Sequence, residues 1–158
     1  MIENNLIKAL REFIKEAVKD FRLPVENPEP IEDGDIRAPQ IINGYLPPKR
    51  SEAKDDFPFV MVRPEKGSIG EVRKMTISIV VGCYTEEYDG YELCLSVMTR
   101  IANALNTMPN NILASKYVLS SDSDIDWELP DNQPYPQWEL YMTTHWEFNS
   151  PQAIFEEV

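Results

Sequence analysis

The chain has 158 residues, of which 42% are apolar, 10% aromatic and 27% charged. That is a length one domain fills, with enough apolar material for a packed core, so compositional disorder is excluded. Acids outnumber bases 27 to 15, and the formal charge of −12 is the wrong sign for a protein whose task is to grip phosphate backbones.

The first predicted element is a helix over roughly Glu3 to Arg22. Leu6, Leu10, Phe13, Ala17 and Phe21 recur every three or four residues, Ile7, Ile14 and Val18 widen the stripe, and Lys8, Arg11, Glu12, Lys15, Glu16 and Lys19 take the opposite face. Pro24 bars its continuation. Eight of the 13 prolines then fall between Pro24 and Pro64, where neither a helix interior nor a central strand tolerates them. This region is expected to be a long Pro-rich connection, an extended arm over 24–56, with short extended pieces at Gln40 to Leu46 and Phe57 to Arg63. A connection of that length usually has a function of its own.

A turn is expected at Glu65 to Gly70, and a strand over Lys74 to Tyr84. There Met75, Ile77, Ile79, Val81 and Cys83 alternate with Thr76, Ser78, Val80, Gly82 and Tyr84. A second helix over Tyr88 to Asn106 places Cys94, Val97, Met98, Ile101 and Leu105 on one stripe, and Pro109-Asn110-Asn111 stops it. Lys116 to Ser120 and Ile125 to Leu129 read as extended, and Pro130 to Pro136 as a turn. The last strand, Gln137 to Phe148, sets Trp138, Leu140, Met142, Thr144, Trp146 and Phe148 against a wetter face. The expected fold is α+β: a mostly antiparallel sheet of about four to five strands covered by two helices, in the order α-β-β-β-α-β-β, as a single domain over 1–158.

The charge is unevenly placed. Residues 1–116 hold 18 acids and 15 bases, whereas the last 42 residues hold nine acids and neither Lys nor Arg. Such a segment is a solvated face, an assembly surface or a wall that repels other anions. The N-terminus threads charges through its apolar residues, unlike a secretory signal, and no stretch approaches the roughly 18 apolar residues of a membrane helix. Cys83 and Cys94 are too few for a disulfide framework, so an intracellular soluble protein with two packed thiols is expected.

Tests for chemistry find little. The one histidine, His145, lies on the polar face of the last strand, and no serine occupies a Gly-x-Ser-x-Gly elbow. Asp122, Asp124 and Asp126 alternate and would share a face if extended, but Trp127 stands where a calcium loop requires glycine and Gln133 where it requires glutamate. No cofactor, metal or catalytic residue is expected.

The series Gly44-Tyr45-Leu46-Pro47-Pro48-Lys49, Asp56-Phe57-Pro58-Phe59-Val60-Met61-Val62-Arg63-Pro64, Tyr135-Pro136-Gln137-Trp138-Glu139 and Thr143-Thr144-His145-Trp146 resembles a family of small tail proteins of long-tailed bacteriophages and prophages of Gram-positive bacteria. The resemblance covers most of the chain in order, and the layout is similar to that of tail terminator, or tail completion, proteins. It implies a non-catalytic virion protein that closes the tail tube as a homo-hexameric ring and joins it to the head. Its partners would be its own copies, the tail tube protein and a head-closure or connector protein. DNA would pass through without specific binding, in the neck of the virion after assembly in the host cytoplasm. A head-closure role in the same neck, or a monomeric acidic module mimicking nucleic acid, are the alternatives. Ile42, Tyr45, Leu46 and Lys49 are the candidate subunit-interface residues, as anchors amid charge. Asp122, Asp124, Asp126 and Asp131 are the candidates for an acidic lumen.

Overall fold

The apolar stripes of two helices close over one face of an antiparallel sheet. The computed structural model describes residues 2–25, 36–45 and 57–150. Helix α1 spans Ile2–Val18 and buries Leu6, Ile7, Leu10, Ile14 and Val18. Helix α2, Tyr91–Asn106, buries Cys94, Val97, Met98, Ile101 and Leu105, the stripe expected from its spacing.

Among the described residues there are nine strands: β1 (Leu23–Pro24), β2 (Ile36–Arg37), β3 (Gln40–Asn43), β4 (Phe59–Ser68), β5 (Val72–Tyr84), β6 (Ile112–Leu113), β7 (Tyr117–Leu119), β8 (Asp126–Glu128) and β9 (Gln137–Asn149). Strands β1 and β2 form a small ribbon of their own. The other seven form one sheet in the order β3-β4-β5-β9-β7-β6, with β8 also paired to β9, and only the β3–β4 pairing is parallel. The α+β class and the mostly antiparallel sheet under two helices are as expected. The count of four to five strands and the order α-β-β-β-α-β-β are corrected: the two-residue strands β1, β2 and β6 carry too little alternation to register as periodicity, whereas β7 and β8 fall inside the stretches expected to be extended.

The sheet is built on the full-length pairing of β5 with β9, from Val72 opposite Asn149 to Tyr84 opposite Gln137. The side-chain period of two then assigns every residue to a face. Ile77, Ile79, Val81, Leu140, Met142 and Trp146 point to the helices and are essentially inaccessible to water. Burying one such side chain is worth about 1.5–3 kcal/mol. On the opposite face a smaller cluster of Phe57, Phe59, Met61 and Val80 is also buried, while Thr76, Ser78, Thr143 and His145 are only partly covered.

Three boundaries differ from expectation for local reasons. Helix α1 ends at Val18, four residues before Arg22. The Phe21 amide donates to the Val18 carbonyl, and the Arg22 guanidinium donates to the carbonyls of Lys19 and Phe21, so side-chain hydrogen bonds finish the last turn. Strand β4 runs through Pro64 to Ser68, where a turn was expected from Glu65. Its neighbour β3 stops opposite Val62, so among the described residues no strand requires an N–H from Pro64, and the register shifts between Pro64 and Lys66. Helix α2 begins at Tyr91, three residues after Tyr88, with Gly90 at its N-cap.

The β6–β7 hairpin turns through Ala114 (φ 53) and Ser115 (φ 66), closed by the Lys116 amide on the Leu113 carbonyl at 3.2 Å. Both residues occupy the left-handed region that Asn and Gly adopt most easily, so the sequence carries no turn signal there. Relieving about 1 kcal/mol of backbone strain by Ala114→Asn with Ser115→Gly should raise the melting temperature by about 3 °C. A melt followed by circular dichroism checks this, and a fall would show that the turn is unstrained.

Candidate interaction surfaces

The Pro-rich connection contributes strand β3 to the sheet edge. Ile41 faces the helices and packs against the main core, while Ile42 lies opposite Met61 on the other face and packs against the smaller cluster. Gly44 follows at φ 82, where an L side chain is strained. Its amide donates to the Val62 carbonyl at 2.7 Å and its carbonyl accepts from Arg63 Nε at 3.0 Å. The Arg63 guanidinium lies 4.3 Å from the centroid of the Tyr45 ring, which is 67% exposed. Tyr45 is thus held by a cation–π contact with its face to solvent. Leu46 and Lys49 lie outside the described residues.

The acidic residues lie at the opposite edge. Asp122, Asp124, Asp126 and Asp131 are all exposed, Asp126 inside β8 and the others in bends and loops around it. Among the described residues, no three His, Cys, Asp or Glu side chains gather as a metal site would need. Trp127 in β8 is half exposed and, opposite Met142, lies on the helix side of the sheet. It borders a groove of about 710 Å³ between α2 and the 120–127 segment, together with Ile125, Asp124, Asn103 and Asn106.

A smaller hollow of about 340 Å³ on the uncovered face brings Lys66, Lys74 and His145 together with Asp122 and Glu147. Charges of both signs face it, so it has no strong preference for an anion or a cation. His145 Nδ1 is 3.2 Å from the Thr76 hydroxyl. The thiols are buried: Cys94 Sγ donates towards the carbonyls of Trp138 (3.5 Å) and Val81 (3.8 Å). A hydrogen bond with Cys94 and burial hold the Cys83 thiol well above its ordinary pKa, the reverse of an activated nucleophile.

Two surfaces escaped the sequence reading. At one end of the sheet, the exposed Tyr88 stacks on Tyr135 at 5.7 Å, and Tyr135 meets Trp138 edge-on at 6.1 Å. The Tyr135 hydroxyl donates to the Glu86 carbonyl and the Trp138 indole to the Thr85 carbonyl. No residue spacing within a segment announces this cluster, because it joins two loops. The second surface is a groove of about 390 Å³ between α1 and β3, walled by Lys8, Arg11 and Lys15 and floored by Pro39 and Ile41, with Glu12 also at its wall. The three bases at i, i+3 and i+7 were a readable signal for one helical stripe. No helix among the described residues is long and apolar enough to cross a membrane.

Compared with models of known protein families and with characterised proteins, the chain matches none.

Proposed function

We propose that this chain is a phage virion assembly protein that terminates the tail tube and joins it to the head through a homo-oligomeric ring, without catalysis. The observation that carries the reading is the ordered series of motifs on a helix-covered antiparallel sheet. The exposed acids around β8 fit the same role: a wall of carboxylates facing the lumen repels the phosphate backbone, so DNA passes without being held. The partners in this reading are further copies of the chain, the tail tube protein and a head-closure protein, in the neck of the virion.

The test is to add the purified protein to polymerising tail tubes and image them by negative stain. A terminator caps tube ends and arrests growth, in rings of uniform diameter. Tubes that grow unchanged, together with salt-sensitive binding of basic proteins, would instead favour an acidic module that mimics nucleic acid.

A further inference from the structure

The two edges of the main sheet differ in charge and shape. At one edge the groove between α1 and β3 has a wall of three bases, Lys8, Arg11 and Lys15, against one acid, Glu12, and an apolar floor of Pro39 and Ile41. Among the described residues none of these three bases forms an ion pair, and the buried Nε of Arg11 has no hydrogen-bond partner. Among the described residues strand β3 has β4 as its one strand neighbour. At the other edge β8 has β9 as its one neighbour, and it presents a half-exposed indole, Trp127, with Asp124 and Asp126 beside it and no Lys or Arg anywhere after Lys116.

An aromatic side chain flanked by unpaired carboxylates is the complement of an apolar slot flanked by unpaired bases. We infer that the occupant of the α1–β3 groove is the β8 segment of a second copy of this chain. Trp127 would lie on Pro39 and Ile41 beneath the Arg11 guanidinium, with Asp124, which borders the same helix-side groove, against Lys8 and Lys15, while Asp126, opposite Thr143, would line the uncovered side of the seam. The parity of the strands permits this, since Trp127 and Ile41 both belong to the helix side of their sheets.

The two surfaces belong to different edges of one sheet. β3 and β8 are four strand spacings apart, about 19 Å, so one chain cannot satisfy both itself. Their pairing is heterologous, and repetition of a heterologous contact generates a ring or a filament instead of a closed dimer. This inference rests on the ring reading above and supplies its seam: Asp124 and Asp126 belong to the contact between copies, which leaves Asp122 and Asp131 for the lumen.

The test uses the full chain carrying Gln40→Cys and Glu128→Cys, two positions on the uncovered face of β3 and β8. The native thiols are buried, and an intramolecular bridge is barred because a disulfide needs Cα atoms within about 7 Å. Mild oxidation at high protein concentration and low salt should give a ladder of dimers, trimers and larger species. Lys8→Glu with Lys15→Glu should abolish the ladder, as should Asp124→Lys, and a chain carrying all three reversals should regain it. Circular dichroism confirms that each variant is folded. A product that stops at dimers, or a ladder indifferent to the reversals, would overturn the inference. So would rescue of the Lys8 and Lys15 reversals by Glu26→Lys, Glu29→Lys and Glu32→Lys, which would assign the groove to the chain's own connection. Absence of a ladder from a protein that still caps tail tubes refutes this seam alone; absence of both refutes the ring reading with it.

Discussion

Trp146→Ala is expected to cost about 4 kcal/mol, a large share of the roughly 5–15 kcal/mol that holds a domain together. Trp146 is 1% exposed and projects from β9 into the layer between sheet and helices. Truncation leaves a cavity that side chains from both helices and both central strands would have to collapse to fill, and a β-sheet backbone yields little. The indole is also polar at one point: its N–H donates to the Thr144 hydroxyl at 2.8 Å, and that hydroxyl donates to the Ile77 carbonyl at 3.0 Å. Thr144 is the one polar residue among the described residues that is fully buried, and this relay satisfies it. Thr144→Val should therefore cost about 1–3 kcal/mol by stranding the indole N–H. In a Trp146→Phe background, where there is no N–H to strand, the same change should cost less. Denaturant unfolding followed by circular dichroism measures all of these. A loss below 1 kcal/mol for Trp146→Ala would mean that the indole is not part of the core.

The motif residues on which the proposed tail-protein reading rests are mostly those that pack the sheet. Phe57 and Phe59 pair edge-to-face at 4.8 Å on the uncovered face. Tyr135 and Trp138 hold the loops at one end, and Thr144 and Trp146 form the buried relay. Such residues speak to how a sheet is filled, whereas the role is decided by surfaces, and there the informative feature is the opposition of a basic edge to an acidic one.

How much of this was legible follows from length of pattern. Strands β5 and β9 span 13 residues each, long enough for their alternation to be unambiguous, and every inward position of both was assigned to the correct face. The buried stripe of α2 was equally readable. In α1 the inward face was read too wide: Phe13 and Ala17 flank the core half-covered, Phe21 lies beyond the end of the helix, and the true stripe runs Leu6, Ile7, Leu10, Ile14, Val18. Strands β1, β2 and β6 escaped because two residues have no period, whereas β8 falls inside the stretch Ile125 to Leu129 that was expected to be extended. The α1–β3 groove was invisible for another reason: its walls come from segments separated by a Pro-rich connection, and only the parallel pairing of β3 with β4 carries Pro39 and Ile41 back beneath α1. The charge asymmetry, by contrast, was fully legible, and the structure converts it from a position in the chain into an edge of the sheet.

Gly82→Val is expected to destabilise the protein by about 3 kcal/mol through the face of the sheet that carries no helix. Gly82 lies directly opposite Phe59 in the β4–β5 pair. A Cβ there would fall 2.3 Å from Phe59 Cε2 and 2.9 Å from Phe57 Cε2, so the absence of a side chain lets the two rings approach the strand closely. The rings have little room to retreat, since Phe57 and Phe59 are 2% and 0% exposed and packed edge-to-face. Strand propensity alone would favour valine over glycine, so the sign of the effect separates the two accounts. Phe59→Leu removes the clashing edge, and in that background Gly82→Ala should be nearly neutral while in the native background it should cost at least 1 kcal/mol. That non-additivity is the signature of direct contact. If Gly82→Ala proves equally costly in both backgrounds, the glycine is required by the backbone and not by the rings. The consequence reaches the assembly surface, because Ile42 packs on this same cluster: displacing the rings should loosen β3, and a loosened β3 edge should weaken the Gln40–Glu128 cross-linking ladder even in a variant whose helices remain folded.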